Sequence, residues 1–225
     1  MWKIGGHYKM IKKNKAYKFR LYPNKEQQIY FAKCFGGVRF LYNQMLGERK
    51  ALYAQYKDDK EMLRQHKPKS YTAYKKDYDW LYEIDSLALA NAQMNLQTAF
   101  NNFFRNPKIG FPKFKSKKSD KNSYTTNNQN NFICFDSGKI KLPKIGWVKV
   151  KQHRRIPETQ LIKSVTISQT SSGKYFVSIL VEWWEDIIIP EVDISKSIGL
   201  DYSSSHFYVD SNNNQGNYPK FYRNA

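Results

Sequence analysis

The chain has 225 residues, with 38 Lys and Arg against 19 Asp and Glu, a formal net charge of +19, and 16% aromatic residues. A balance that positive points to a polyanion, nucleic acid first, and rings interleaved with cations supply stacking surfaces for bases. Its 40% hydrophobic content excludes a disordered tail, and neither an apolar run long enough to span a membrane nor a signal-type apolar block in residues 1–15 is present.

Cys34 and Cys134 form no CxxC pair and combine with His7, His66, His153 and His206 in no standard zinc spacing. Both read as small buried hydrophobes of a reduced, cytoplasmic protein. The length allows one sizeable core or two smaller ones.

Residues Ala16–Tyr22 alternate, with Tyr17, Phe19 and Leu21 on one face and Lys18, Arg20 and Tyr22 on the other, which predicts a strand ending at Pro23. Asn24 offers an N-cap, and apolar residues recur at three and four from Phe31 through Leu46 and on to Tyr56, predicting helix. Gly36-Gly37 interrupts that pattern and marks either a kink or a tight helix contact. Asp58–Lys69 reads as a charged loop or frayed helix end, and Tyr71–Leu81 as a short helical piece. A helix capped at Asp85-Ser86 is expected to run to about Phe104, bearing Asn91, Asn95, Asn101 and Asn102. That amide row is either a solvated polar face or a contact with nucleic acid.

From Arg105 onward short strands are expected. Phe132–Phe135 and Lys139–Leu142 flank the turn Asp136-Ser137-Gly138, Trp147–Lys151 alternates, and Ile162–Ser168 and Lys174–Trp184 flank Ser171-Ser172-Gly173. Together with Tyr17–Tyr22 they suggest a small antiparallel barrel, which makes the helices an insertion after its first strand. Residues Arg105, Lys113, Lys115, Lys117, Lys118, Lys141, Lys144, Lys149, Lys151, Arg154 and Arg155 are the candidate nucleic-acid contacts, because this span holds only Asp120 and Asp136 as acids. Residues 185–196 read as a connector.

Ser197–Asp210 then reads as a buried strand carrying one carboxylate, Asp201, a polar loop and a second strand. Two-metal phosphodiester hydrolysis needs several carboxylates converging on both ions. Asp210, nine residues on, is placed at the far end of the second strand in a turn with Asn212, Asn213, Asn214 and Gly216, and so is a poor partner for Asp201.

Several ordered segments resemble the TnpB (OrfB) family of insertion sequences. They are Ala16–Pro23, Arg39–Asn43, Phe103–Arg105 with Phe111–Lys118, Ile140–Val150, Lys163–Ile167, Gly199-Leu200-Asp201 and Tyr218–Arg223. The resemblance implies an RNA-guided DNA endonuclease with a guide RNA and a double-stranded DNA target as partners, and no membrane. It implies an α+β fold: a wedge β-barrel interrupted by a helical recognition domain, then an RNase H-like (RuvC) nuclease domain. The expected division is 1–23 for the first wedge strand, 24–106 for the helical domain with a helix-turn-helix-like start, 107–190 for the basic barrel, and 191–225 for the start of RuvC. Asp201 matches the first catalytic, metal-binding aspartate. The family's second and third carboxylate motifs and its CxxC pair have no counterpart here. The expectation is therefore a chain that stops before its nuclease core is complete, with Mg²⁺ not stably bound and cleavage lost. A non-catalytic RNA-directed regulator and a helix-turn-helix DNA-binding protein without RNA are the alternatives.

Overall fold

The structure is a computed structural model that describes residues 7–118, 122–189, 194–202 and 206–217. Lys121, Glu191, Asp193, the loop residues 203–205 and the family-like segment 218–223 lie outside the described residues. The chain divides into two units, one of residues 12–183 and one of residues 1–11 with 184–225.

β1 (His7–Tyr22) is longer than its alternating core suggested, and Pro23 ends it. Asn24 caps α1 (Lys25–Tyr56): its Oδ1 accepts from Gln27 N at 2.8 Å, while Gln27 Oε1 accepts from Asn24 N at 3.1 Å. This reciprocal pair satisfies two helix-end donors. α1 runs through Gly36-Gly37 without a break, so its 32 residues form one helix with no turn inside it. The glycines serve a close contact instead. A Cβ at Gly37 would stand 1.9 Å from Ile84 Cδ1, whereas one at Gly36 would meet nothing within 4 Å.

The charged stretch after α1 contains α2 (Lys60–Gln65), capped by the Asp59 carboxylate. α3 (Tyr71–Asp77) follows, then a 3-10 turn at Asp79–Glu83 and α4 (Ser86–Arg105), whose cap is Asp85. α1 packs along α4. Asn91 Nδ2 donates to Leu87 O, and Gln97 Nε2 donates to Asn101 Oδ1. Much of the amide row on α4 is thus engaged within the protein.

The strands are β2 (Asn122–Asn127), β3 (Phe135–Asp136), β4 (Lys139–Leu142), β5 (Gly146–Lys151), β6 (Leu161–Gln169) and β7 (Tyr175–Ile189). All join β1 in one seven-stranded sheet of order β2-β6-β7-β1-β5-β4-β3. β1 sits mid-sheet although it comes first, so α1–α4 lie between it and β2 in sequence. β7 continues five residues into the stretch expected to be a connector.

The fold is α+β with a large antiparallel sheet, but the sheet does not close into the expected barrel: among the described residues β2 and β3 are its two ends. A barrel needs strands long enough to pair on both sides, and β3 has two residues. Helix side chains fill the inner face at the β2 end. Phe31 lies 6.3 Å from Tyr124 and 5.7 Å from Tyr175, and Phe35 lies 5.8 Å from Tyr124, ring centre to ring centre. Phe19 packs edge-on against Phe135 toward the other end.

In the second unit, β8 (Leu200–Asp201), β9 (Tyr208–Asp210) and β10 (Gln215–Gly216) form a separate antiparallel sheet of order β10-β9-β8.

Candidate nucleic-acid interface

Opposite residues of antiparallel strands share a face, and neighbours along a strand alternate. Tyr17, Phe19 and Leu21 of β1 and Val148 and Val150 of β5 are buried, which turns Lys18, Arg20, Tyr22, Trp147, Lys149 and Lys151 outward. Pairing sets these side chains in rows. Tyr22 lies opposite Lys149 and Lys149 opposite Lys139; Arg20 lies opposite Lys151; Trp147 lies opposite Lys141. Strands stand about 4.8 Å apart, so the result is a lattice of cations with two exposed rings in it. Lys18 Nζ is 4.8 Å from the Phe176 ring centre, Arg20 lies 5.4 Å over both Phe176 and Tyr22, and Lys141 Nζ is 4.6 Å over Phe132. Ring faces hold the cations without neutralising them.

Among the described residues, no carboxylate pairs with Lys139, Lys141, Lys149 or Lys151. Like charges placed directly opposite cost stability, so this arrangement is one that a bound anion would relieve. The other half of the same face is neutral. Ser123, Thr125 and Asn127 of β2 lie opposite Ser168, Thr166 and Ser164 of β6, and Thr125 and Thr166 share a 2.8 Å hydroxyl bond. Glu182 on β7 is engaged by Lys12 at 2.6 Å and Lys163 at 3.1 Å; the Lys12 hydrogen bond foremost holds its carboxyl below the usual range. α1 is anchored beside the basic half, where Gln27 Nε2 donates to Trp147 O at 3.0 Å.

A second basic group lies at the far end of α1. Asn43 accepts from Lys115 N at 2.8 Å and donates to Lys115 O at 2.9 Å, a strand-like clamp on the segment after α4. Lys115 Nζ sits 4.3 Å over the Tyr42 ring. Arg105, Lys113, Lys117 and Lys118, in the same stretch of chain, are exposed, and Lys50 Nζ lies 5.1 Å over Phe114.

The eleven basic residues predicted from the sequence thus fall into several places. Lys141, Lys149 and Lys151 share the sheet face; Arg105, Lys113, Lys115, Lys117 and Lys118 share the α4 end. Lys144, in a turn at positive φ, donates to Tyr82 O. Arg154 and Arg155 lie in the exposed loop after β5, where Arg155 pairs with Glu158 at 2.5 Å. Sequence reasoning did not include Lys18, Arg20 or Lys139, although the alternation of β1 had already turned Lys18 and Arg20 outward.

Asp201 lies on β8, in the other unit, and is exposed. Its strand is not the buried one expected: Ile198 and Leu200 are 54% and 66% exposed. Asp210 does end β9, as expected, but the pairing sets it directly opposite Leu200 and next to the Asp201–Val209 pair rather than far from Asp201. It remains a poor partner for a different reason. Strand alternation points the two carboxylates to opposite faces, and Asp210 accepts from Asn212 N, Asn214 N and Asn214 Nδ2 at 2.9, 2.8 and 2.7 Å. The Asn214 side chain foremost holds the Asp210 carboxyl below the usual range. Among the described residues no group of three or more His, Cys, Asp or Glu could hold a metal. The residues described around Asp201 therefore do not fit a two-Mg²⁺ cage.

Comparison with known proteins gives the lineage. A helix-turn-helix domain of the OrfB/IS605 type matches residues 10–58, the span that here holds most of β1, all of α1 and the start of the following turn. A Streptomyces pristinaespiralis protein, named as a candidate RNA-guided DNA endonuclease, is 31% identical over 192 residues, covering 83% of this chain and 45% of the relative. The similarly named InsQ of Escherichia coli K12 is 29% identical over 197 residues, 85% of this chain and 46% of the relative. The Salmonella dublin virulence protein VsdF is 39% identical over 112 residues, 46% of this chain and 93% of the relative. The chain spans about half the length of the two endonuclease-named relatives. With an OrfB-type domain near its start and these relatives along most of its length, the chain belongs to the TnpB/OrfB family.

Proposed function

We propose that this chain carries the nucleic-acid-binding part of a TnpB-like RNA-guided system, with a guide RNA and a double-stranded DNA target as its partners. One observation carries the reading: the unneutralised rows Tyr22–Lys149–Lys139, Arg20–Lys151 and Trp147–Lys141 on an open sheet face. Cations at strand spacing meet successive backbone phosphates, while Trp147 and Tyr22, 41% and 46% exposed, offer rings to unstacked bases. RNA is recognised chiefly through such unstacked bases and through shape, so structured RNA is the favoured ligand.

The same reading makes the chain a binder rather than a cutter, because Asp201 has no second carboxylate on its face of β8–β9. The second reading is a helix-turn-helix DNA-binding mode without RNA: the OrfB/IS605-type match over residues 10–58 favours it, although α1 runs through that span as a single helix. The test is a competition between RNA transcribed from the gene's own 3′ flank and arbitrary duplex DNA. Preference for the RNA, with no cleavage of a matched target in Mg²⁺ and no effect of Asp201→Ala, is expected. Equal affinity for both ligands contradicts the RNA assignment. RNA-dependent cleavage abolished by Asp201→Ala contradicts the binder assignment.

A further inference from the structure

The α4 end is a different kind of surface from the sheet face. Between Phe103 and Lys118 the sequence has six cations and no acid. It also exposes large apolar groups: Phe104 is 72% exposed, Ile109 58%, Phe114 52% and Phe111 41%. Exposed rings in that number are unusual on a folded surface and mark an interaction site.

These rings are braced. Phe104 lies 6.2 Å from Phe100, stacked, and 5.4 Å from Phe103; Phe111 meets Phe100 and Phe103 edge-on at 5.5 and 5.3 Å. Phe100 is buried and carries Arg49 4.8 Å over its face. The backbone is held as well. Asn106 Oδ1 accepts from Lys108 N at 3.2 Å, and the Asn43 clamp fixes Lys115. A surface fixed in advance loses little entropy when a ligand settles on it.

We infer that Phe104 and Phe114, with Lys50, Arg105 and Lys113 around them, form a second nucleic-acid site that takes single-stranded nucleic acid by base stacking. The inference rests on the nucleic-acid reading above but on a separate set of residues. Charge selects the occupant. A second copy of this surface would bring six more cations against the first, and that repulsion disfavours self-association. A strand with flat bases and one phosphate per nucleotide satisfies both rings and cations, without sequence preference. α1 fixes the distance between the two sites. Gln27 is bonded beside Trp147 and Lys50 stands over Phe114. The intervening stretch of α1 rises about 35 Å, the length of about ten base pairs. The helix acts as a rigid spacer between a site for structured RNA and a site for an unpaired strand.

The experiment uses the full chain and three labelled probes of about 20 nucleotides: oligo-U, oligo-dT and a duplex. Anisotropy titrations across a salt series compare the wild type with Phe104→Ala/Phe114→Ala. Removing the rings should weaken binding of both single strands about fivefold or more, leave the duplex unaffected, and leave the salt slope unchanged because no cation is lost. Phe104→Trp should retain affinity and Phe104→Leu should not, since leucine keeps apolar area but cannot stack. A stronger effect on oligo-U assigns the site to RNA, and a stronger effect on oligo-dT assigns it to an unpaired DNA strand. Unchanged single-strand affinity in the double variant overturns the inference while leaving the sheet-face reading intact. Full rescue by leucine, or concentration-dependent self-association lost in the double variant, assigns the surface to protein contact and also overturns it. A wild type that binds none of the probes or the flanking RNA overturns the underlying reading as well.

Discussion

Replacing Lys149 by Thr should raise stability and lower affinity at once. Lys149 stands on β5 directly opposite Lys139 and Tyr22, with Lys151 two residues along the same face. Like charges directly opposite each other cost roughly 0.2–1 kcal/mol, and Thr is at home on an exposed strand face. The expected gain is about 0.5 kcal/mol. For a unit of this size it corresponds to a rise of roughly 1–2 °C in Tm. In binding, one phosphate contact is lost. The slope of log affinity against log salt should fall by about 0.7–0.9, which at 0.1 M salt is a loss of about five- to eightfold. The two readouts are a calorimetric melt and anisotropy titrations with the flanking RNA at several salt concentrations. A lowered melt with an unchanged slope would refute the reasoning, because Lys149 would then be a packing residue and not a contact held ready for an anion.

The two glycines of α1 should respond oppositely to alanine. Gly36→Ala fills open space and should stabilise by about 0.5–1 kcal/mol, while Gly37→Ala drives a methyl into buried Ile84 and should destabilise by roughly 1–3 kcal/mol; urea midpoints of the two variants test this. Cys34 is fully buried and burial pushes its thiol up to about 11, so at pH 8 iodoacetamide should label Cys134 and spare Cys34 until the chain is unfolded. Asp210 is held below the usual range by Asn214, so its support of the turn after β9 is present above the unfolded carboxylate value, about 3.9, and is lost as pH falls through the lower folded value. Amide exchange at Asn212 and Asn214 should accelerate there, and Asp210→Asn should abolish that pH dependence.

Local pattern carried the strands whose two faces differ in polarity. Tyr17, Phe19 and Leu21 are buried while Lys18, Arg20 and Tyr22 face out, as the alternation implied. The same rule exposed Trp147, Lys149 and Lys151 and buried Val148 and Val150. It gave no strand at Asn122–Asn127, where Tyr124 and Thr126 turn inward but Ser, Thr and Asn on the other face leave no marked alternation of polarity. At Gly36-Gly37 the pattern left a kink and a tight contact open, and the structure has the contact, made by Gly37 with Ile84, far away in sequence. The registers Tyr22↔Lys149 and Lys139↔Lys149 are the least legible feature. They join segments far apart in the chain, and only the folded sheet turns a diffuse surplus of lysines into rows on one face. Asp201 and Asp210 show the same limit, because their spacing along the chain gave no hint that β8–β9 pairing sets them side by side on opposite faces.

The most direct measurement of the central claim is ultraviolet cross-linking of the full chain to RNA from the gene's 3′ flank, with the cross-linked peptides identified by mass spectrometry. The account predicts cross-links at Trp147 and Tyr22 on the basic half of the sheet face, competed by unlabelled RNA and lost at high salt. Cross-links confined to the neutral half, at the peptides carrying Ser123–Asn127 and Ser164–Ser168, would contradict it.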